Sequence, residues 1–216
     1  VLTGGVPKII LMAEVAGEMK DSVSYFVGSE ETEPGYGWPY NTFFTRFAAN
    51  TAATPADVSI YLTEEYLKAY NGGIYGKQDV TFSAYDMSKF QAVMSSTKAL
   101  SATLASLAPA DISKAKTAAN STQSYAYDDY KDFHDFLDRA AVSSVALDAV
   151  VVETVKDSIR NLVISGGGTG SYKASHGISI WLPTQASDLS RYQARYSKLT
   201  FNQNTNWLSF LTILNK

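Results

Sequence analysis

Apolar positions along the chain alternate between a period near two and a period near 3.6, which predicts short strands interleaved with amphipathic helices. Val6 to Leu11 reads as a strand after a Gly-Gly turn, and Met12, Val15, Ala16 and Met19 then recur at helical spacing. Tyr25-Phe26-Val27 is an aromatic, β-branched run suited to a buried strand and closed by Gly28-Ser29. Phe43, Phe44 and Phe47 share one face of a helix over 41–49, expected to pack on the core. Thr54-Pro55-Ala56-Asp57 is a helix start, with Thr54 as N-cap and Pro55 at the first helical position, and the helix runs to Gly72-Gly73. Val80 to Tyr85 alternates as a strand, and Asp86 to Ser88 caps a helix over 89–107 that Pro109 closes.

The second half is less regular. Residues 110–124 are rich in Ala, Ser, Thr and Lys without a strong apolar stripe, so they read as a mobile connection holding at most one weak helix. Tyr125, Tyr127 and Tyr130 lead into an aromatic helix face at Phe133 to Leu137, and Ser143 or Ser144 is expected to cap a helix reaching about Ile164. The run Gly166 to Gly170 follows that helix with no Lys-Ser/Thr start behind it, so it reads as a flexible linker and not a phosphate loop. Gly177 to Leu182 alternates as a strand stopped by Pro183, and Asn206 to Leu211 opens a terminal amphipathic helix. Strands alternating with helices predict an α/β fold, and the composition shift after the helix over 89–107 divides the chain into parts 1–108 and 109–216.

Composition removes several function classes. A chain of 216 residues buries about 70% of its unfolded surface, enough for a full core. It contains no cysteine, hence no disulfide, no thiolate metal site and no cysteine nucleophile. Net charge is −3, from 18 basic and 21 acidic residues, which argues against a nucleic-acid surface. The longest apolar run, 146–152, is broken by Asp148 and falls short of the ~20 residues of a membrane span. Val1 to Gly5 has neither an initiator Met nor a basic leader, so the expected start is one made by cleavage, processing or cloning.

The densest chemistry follows the strand at Tyr25. Glu30, Glu31 and Glu33 come at once after Gly28-Ser29, Pro34-Gly35 and Gly37 supply bends, and Trp38 and Tyr40 bring aromatic surface beside the acids. An acidic loop at the carboxyl end of a strand suits a cationic ligand. The same glutamates also suit a solvated turn, with Trp38 packed inward. His134 neighbours Asp135 and sits four residues before Asp138 on a helix, a spacing that suits a metal ligand or a base, but the favoured reading is a partly exposed histidine on a helix face. Ser175 and His176 are adjacent at a strand start, where neighbours point to opposite sides, so they do not read as a nucleophile and base.

Four stretches carry a resemblance. Leu11 to Asp21 followed by Ser29-Glu30-Glu31-Thr32-Glu33-Pro34-Gly35-Tyr36-Gly37-Trp38-Pro39-Tyr40 is similar to the segment after the nucleophile in the clostripain family of cysteine peptidases. Val80 to Lys89 resembles that family's strand-then-helix stretch, His176 to Pro183 its G-L-S-I-Y-F-P strand, and Thr205 to Leu211 its closing T-G-W-x-x-F-L. The order agrees and nearly the whole chain is covered. The resemblance implies a caspase-like sheet flanked by helices, with a helix-rich C-terminal part closing on it. It also implies thiol-dependent cleavage after Arg or Lys.

Aligning Leu11-Met12 with the family's L-M puts Ile10 at the nucleophile and Lys8 at the Asp thought to hold the substrate's basic side chain. Ile10 has no ionisable atom, and Lys8 would repel that side chain. A deletion between Ile9 and Ala13 explains the sequence equally well. The family's general-base histidine belongs to a strand that would precede Val1. The chain by itself is therefore expected to be inactive, with no catalytic residue of its own. Glu30, Glu31, Glu33, Trp38 and Tyr40 are its candidate substrate-binding set. The resemblance further implies an N-terminal segment or light chain of the same precursor as partner, a basic peptide or protein as substrate, and a secreted or cell-surface location. Calcium enters only because some relatives need it. The alternative is a degenerate, non-catalytic homologue that binds basic peptides.

Overall fold

The computed structural model describes residues 11–216. The strand expected over Val6–Leu11 thus lies outside the described residues except for Leu11, as do Lys8 and Ile10. The first half holds helix α1 (Ala13–Met19), strand β1 (Tyr25–Gly28), helices α2 (Tyr40–Ala49) and α3 (Pro55–Tyr70), the hairpin β2 (Asn71–Gly73) and β3 (Gly76–Lys77), strand β4 (Thr81–Asp86) and helix α4 (Phe90–Ala105). The second holds α5 (Pro109–Ser121), β5 (Tyr130–Asp132), α6 (Phe133–Val142), α7 (Ala149–Leu162), β6 (Val163–Gly168), β7 (Ser179–Trp181), α8 (Ala186–Tyr196), α9 (Thr200–Thr205) and α10 (Trp207–Leu214).

Helix α3 starts as its sequence dictates. Thr54 Oγ1 accepts the Asp57 N–H at 3.2 Å while the Asp57 carboxylate accepts the Thr54 N–H at 2.9 Å, and Pro55 occupies the first turn. Strands β1, β4 and β6 form an antiparallel sheet in that order, and β5 pairs antiparallel with β7. Leu11 joins the two sheets: its N–H donates to Ser29 O, and its carbonyl accepts the Ser179 N–H, both at 3.1 Å. One large core runs from Leu11 to Leu214, drawing on both sides of position 108. A smaller one gathers Tyr66, Tyr70, Val80 and Phe82 under α3. At the centre of the large core Trp207 is fully buried, its indole N–H donating to Trp181 O at 2.9 Å.

Four expectations fail, each for a local reason. Residues 110–124 are no mobile connection: Pro109 opens α5, whose Ala115, Ala118 and Ala119 are fully buried. Small side chains pack closely but leave a weak apolar stripe in the sequence. The glycine run is a strand edge in place of a linker, because β6 lies so close to its neighbours that a Cβ on Gly166 would come 2.5 Å from Ser83 Oγ. Helix α7 is capped by Asp148, which accepts the Val150 N–H at 2.7 Å, and neither Ser143 nor Ser144 caps it. Helix α2 buries no residue fully; Phe43 packs on the smaller core, whereas Phe44 is 56% exposed.

Candidate functional site

The acidic loop leaves the carboxyl end of β1 and is clamped to the first residue of β4. Thr81 Oγ1 lies 2.9 Å from Ser29 Oγ and accepts the backbone N–H groups of Glu30 at 3.0 Å and Glu31 at 3.1 Å. A strand-end hydroxyl thereby satisfies donors that the sheet leaves unpaired. Further along, Tyr70 Oη donates to Gly37 O at 2.8 Å, and Tyr36 stacks on Tyr75 at 5.3 Å. The loop is held at both ends.

Its three carboxylates have different surroundings. Glu31 is buried: Oε1 accepts from the Thr32 N–H at 2.6 Å and the Thr32 hydroxyl at 2.8 Å, and Oε2 accepts from the Tyr172 hydroxyl at 2.5 Å. Glu33 Oε2 accepts the Trp38 indole N–H at 3.0 Å. That bond seats Trp38 edge-on against Phe82 at 5.6 Å and 6.2 Å from the Tyr40 ring. Tyr40 is 51% exposed and stacks on the exposed Phe44, and Tyr36, stacked on Tyr75, is more open still. Glu30 is fully buried, and neither of its carboxylate oxygens has a hydrogen-bond partner among the described residues. Burial pushes its carboxyl up to about 7, with a smaller upward contribution from Asp132 and partial relief from the Thr81 hydroxyl. Its charge in turn raises the neighbouring Tyr85 and Tyr125 phenols, both already raised by their own burial.

The candidate set is thus split. Glu33 and Trp38 pair with each other half-buried, with Tyr40 exposed beside the indole, Glu31 is committed to Tyr172, and Glu30 sits within the protein toward Asp132. Asp132 was not singled out by the sequence, yet it is a hub. It is fully buried and accepts the Tyr125 hydroxyl at 3.1 Å, the Asp135 N–H at 2.9 Å and the His176 N–H at 2.7 Å. Asp135 and Tyr125 are near it in sequence but His176 is 44 residues on, so only the acidic cap position before α6 could have flagged it. His176 lies in the loop before β7, not on the strand, with Nδ1 3.1 Å from Asp132 Oδ1. That bond favours its charged form, against the opposing effect of burial. His134 is buried and not partly exposed, and its ring is held against protonation by burial and by His176.

A helix-covered sheet with an acidic loop at a strand's carboxyl end and the start of α1 beside it makes this a caspase-like α/β protein. The chain belongs to the clostripain family, whose model matches residues 10–213. It is similar in fold to a B. fragilis cysteine protease, with 14% identity and a TM-score of 0.64, over 94% of this chain and 85% of that one. An inactive protease zymogen from Parabacteroides distasonis shares 18% identity at a TM-score of 0.65, over 91% of this chain and 56% of that one. A secreted cysteine protease from Bacteroides thetaiotaomicron, in complex with an irreversible peptide inhibitor, shares 15% at 0.67, over 92% and 56%. The chain therefore spans just over half the length of the last two. No curated protein matches it significantly. Among the described residues no helix is long and apolar enough to cross a membrane.

Proposed function

We propose that this chain is the C-terminal part of a clostripain-family endopeptidase cleaving after Arg or Lys, and that it is inert by itself. The observation carrying this is a family match across 10–213 in a chain that contains no cysteine. The thiolate that attacks the scissile carbonyl has no substitute at Ile10, which offers no ionisable atom. Both histidines are occupied in a cluster of their own, stacked on each other at 4.1 Å. Support for a peptide substrate comes from the relative solved with a peptide inhibitor, and for a secreted location from its description as secreted. The acidic loop supports a preference for basic side chains, and the remaining partner is an N-terminal segment of the same precursor.

The test is hydrolysis of Arg- and Lys-containing amide substrates by the purified chain, with reductant and with or without calcium. The expected result is no saturable turnover; saturable turnover overturns the inert reading. Where the polypeptide encoded before Val1 carries both the missing cysteine and the general-base histidine, adding it should restore cleavage after basic residues, and failure to do so favours the alternative. That alternative, a non-catalytic module for basic peptides, is supported by exposed Tyr36, Tyr40 and Phe44 beside Glu33 and Trp38. A basic group there would meet a carboxylate and aromatic faces. It requires an Arg-containing peptide to bind in a salt-sensitive way that is lost in Glu33→Gln.

A further inference from the structure

The chain has two histidines, and the fold brings both to one place. His134, at the start of α6, and His176, in the loop before β7, stack at 4.1 Å with 12° between their planes. Asp138 follows His134 by one helical turn and puts Oδ2 3.2 Å from His134 Nδ1. Donor atoms of all three residues lie within 4.8 Å of one another. A tetrahedral ion with bonds of about 2.0–2.1 Å has donor–donor edges of roughly 3.3–3.4 Å, so the His134–Asp138 spacing already matches one edge.

The third ligand is supported from behind. His176 gives Nδ1 to the buried carboxylate of Asp132, which leaves Nε2 as its free donor. A carboxylate on the far nitrogen is how metal-binding histidines are commonly oriented. Asp132 is itself fixed by Tyr125 and by backbone N–H groups. A cavity of about 270 Å³, lined by both histidines, Arg160, Val163, Gly166 and Ser175, gives an ion access and a water room as fourth ligand.

We propose that His134, Asp138 and His176 form a binding site for a transition-metal dication of the zinc type, with Asp132 as the carboxylate that orients His176. Two imidazoles and one carboxylate select zinc, nickel or copper over calcium, which takes six to eight oxygens. Two features limit the affinity. The near-parallel rings must turn before both in-plane lone pairs converge on one ion, a motion about a soft torsion. Two cations also face the cluster from α7: Lys156 Nζ lies 2.7 Å from Asp138 Oδ1, and Arg160 Nη1 3.2 Å from His134 Nε2. Micromolar rather than nanomolar binding follows.

Calorimetric titration of the full chain with zinc chloride at pH 7.5, and in parallel with calcium chloride, tests this. One equivalent of zinc should bind with a Kd of about 1–100 µM, and calcium should not compete. His176→Gln, His134→Gln and Asp138→Asn should each weaken zinc at least about tenfold, and Asp132→Asn about 10–100-fold. Lys156→Met should tighten it. Far-ultraviolet dichroism checks that each variant folds; should one fail, the absorption spectrum of cobalt bound to the unsubstituted chain reports nitrogen ligation directly. Absence of saturable zinc binding below 1 mM, binding unchanged in both histidine variants, or calcium binding as tight as zinc would each overturn the proposal.

Discussion

Glu30→Gln isolates the cost of burying one carboxylate with no partner among the described residues. The side chain is fully buried, and its carboxyl is raised from an ordinary 4.5 to about 7, chiefly by burial. A raised acid binds its proton more tightly in the folded than in the unfolded chain. Stability is therefore undiminished below pH 4.5, falls as pH climbs between 4.5 and about 7, and stays reduced above that. The gap corresponds to about 3 kcal/mol, a large share of the 5–15 kcal/mol typical of a domain. Glutamine keeps the shape and cannot ionise. Whatever the amide itself costs is constant with pH, so the stability difference between variant and parent should grow by about 3 kcal/mol from pH 4.5 to 8.5 in favour of glutamine. Urea unfolding at four pH values across that range reads the difference directly, with a constant slope against denaturant confirming that the unfolded state is unchanged. The charged or titratable groups facing Glu30 are Asp132, Tyr85 and Tyr125, and Asp132→Asn should shift the midpoint slightly downward. A difference that stays flat with pH refutes the reasoning, and one that favours glutamate as pH rises shows that a cation pairs with Glu30.

Other outcomes follow from packing. Gly166→Ala places a methyl 2.5 Å from Ser83 Oγ, and as overpacking it should cost about 1–3 kcal/mol, measured as a lowered urea midpoint; an unchanged midpoint would show β6 able to shift away from β4. Trp207→Ala removes a fully buried ring and its bond to Trp181 O, with an expected loss of about 3–5 kcal/mol in the same assay. Tyr172→Phe strips Glu31 Oε2 of its hydroxyl donor and should cost about 1–3 kcal/mol, a penalty that largely disappears when Glu31→Gln is already present. Adding the polypeptide encoded before Val1 should raise the melting temperature, since a partner that binds only the folded chain stabilises it; an unaltered melt argues against that partner.

Periodicity in the sequence placed most of the first half. The capping box at Thr54 and Asp57 and the turn at Asp86 arise from contacts within a few residues, and the strand at Val80 announces itself by a local β-branched and aromatic run although its partners β1 and β6 are distant, so all three could be read without the fold. The absence of cysteine likewise bounded the chemistry from composition alone. The misreadings fall where long-range contacts replace local signals. Gly166 is a strand residue because Ser83, far away in sequence, leaves no space for a Cβ, and α5 is held by alanines whose burial depends on α6 and α10. The acidic loop was visible as a run of glutamates, but their separation into a buried Glu30, a Tyr172-bonded Glu31 and a Trp38-bonded Glu33 was not. The meeting of His134 with His176 was invisible for the same reason. A sequence records which groups a chain carries and how neighbours repeat, whereas desolvation and pairing depend on what the fold brings alongside.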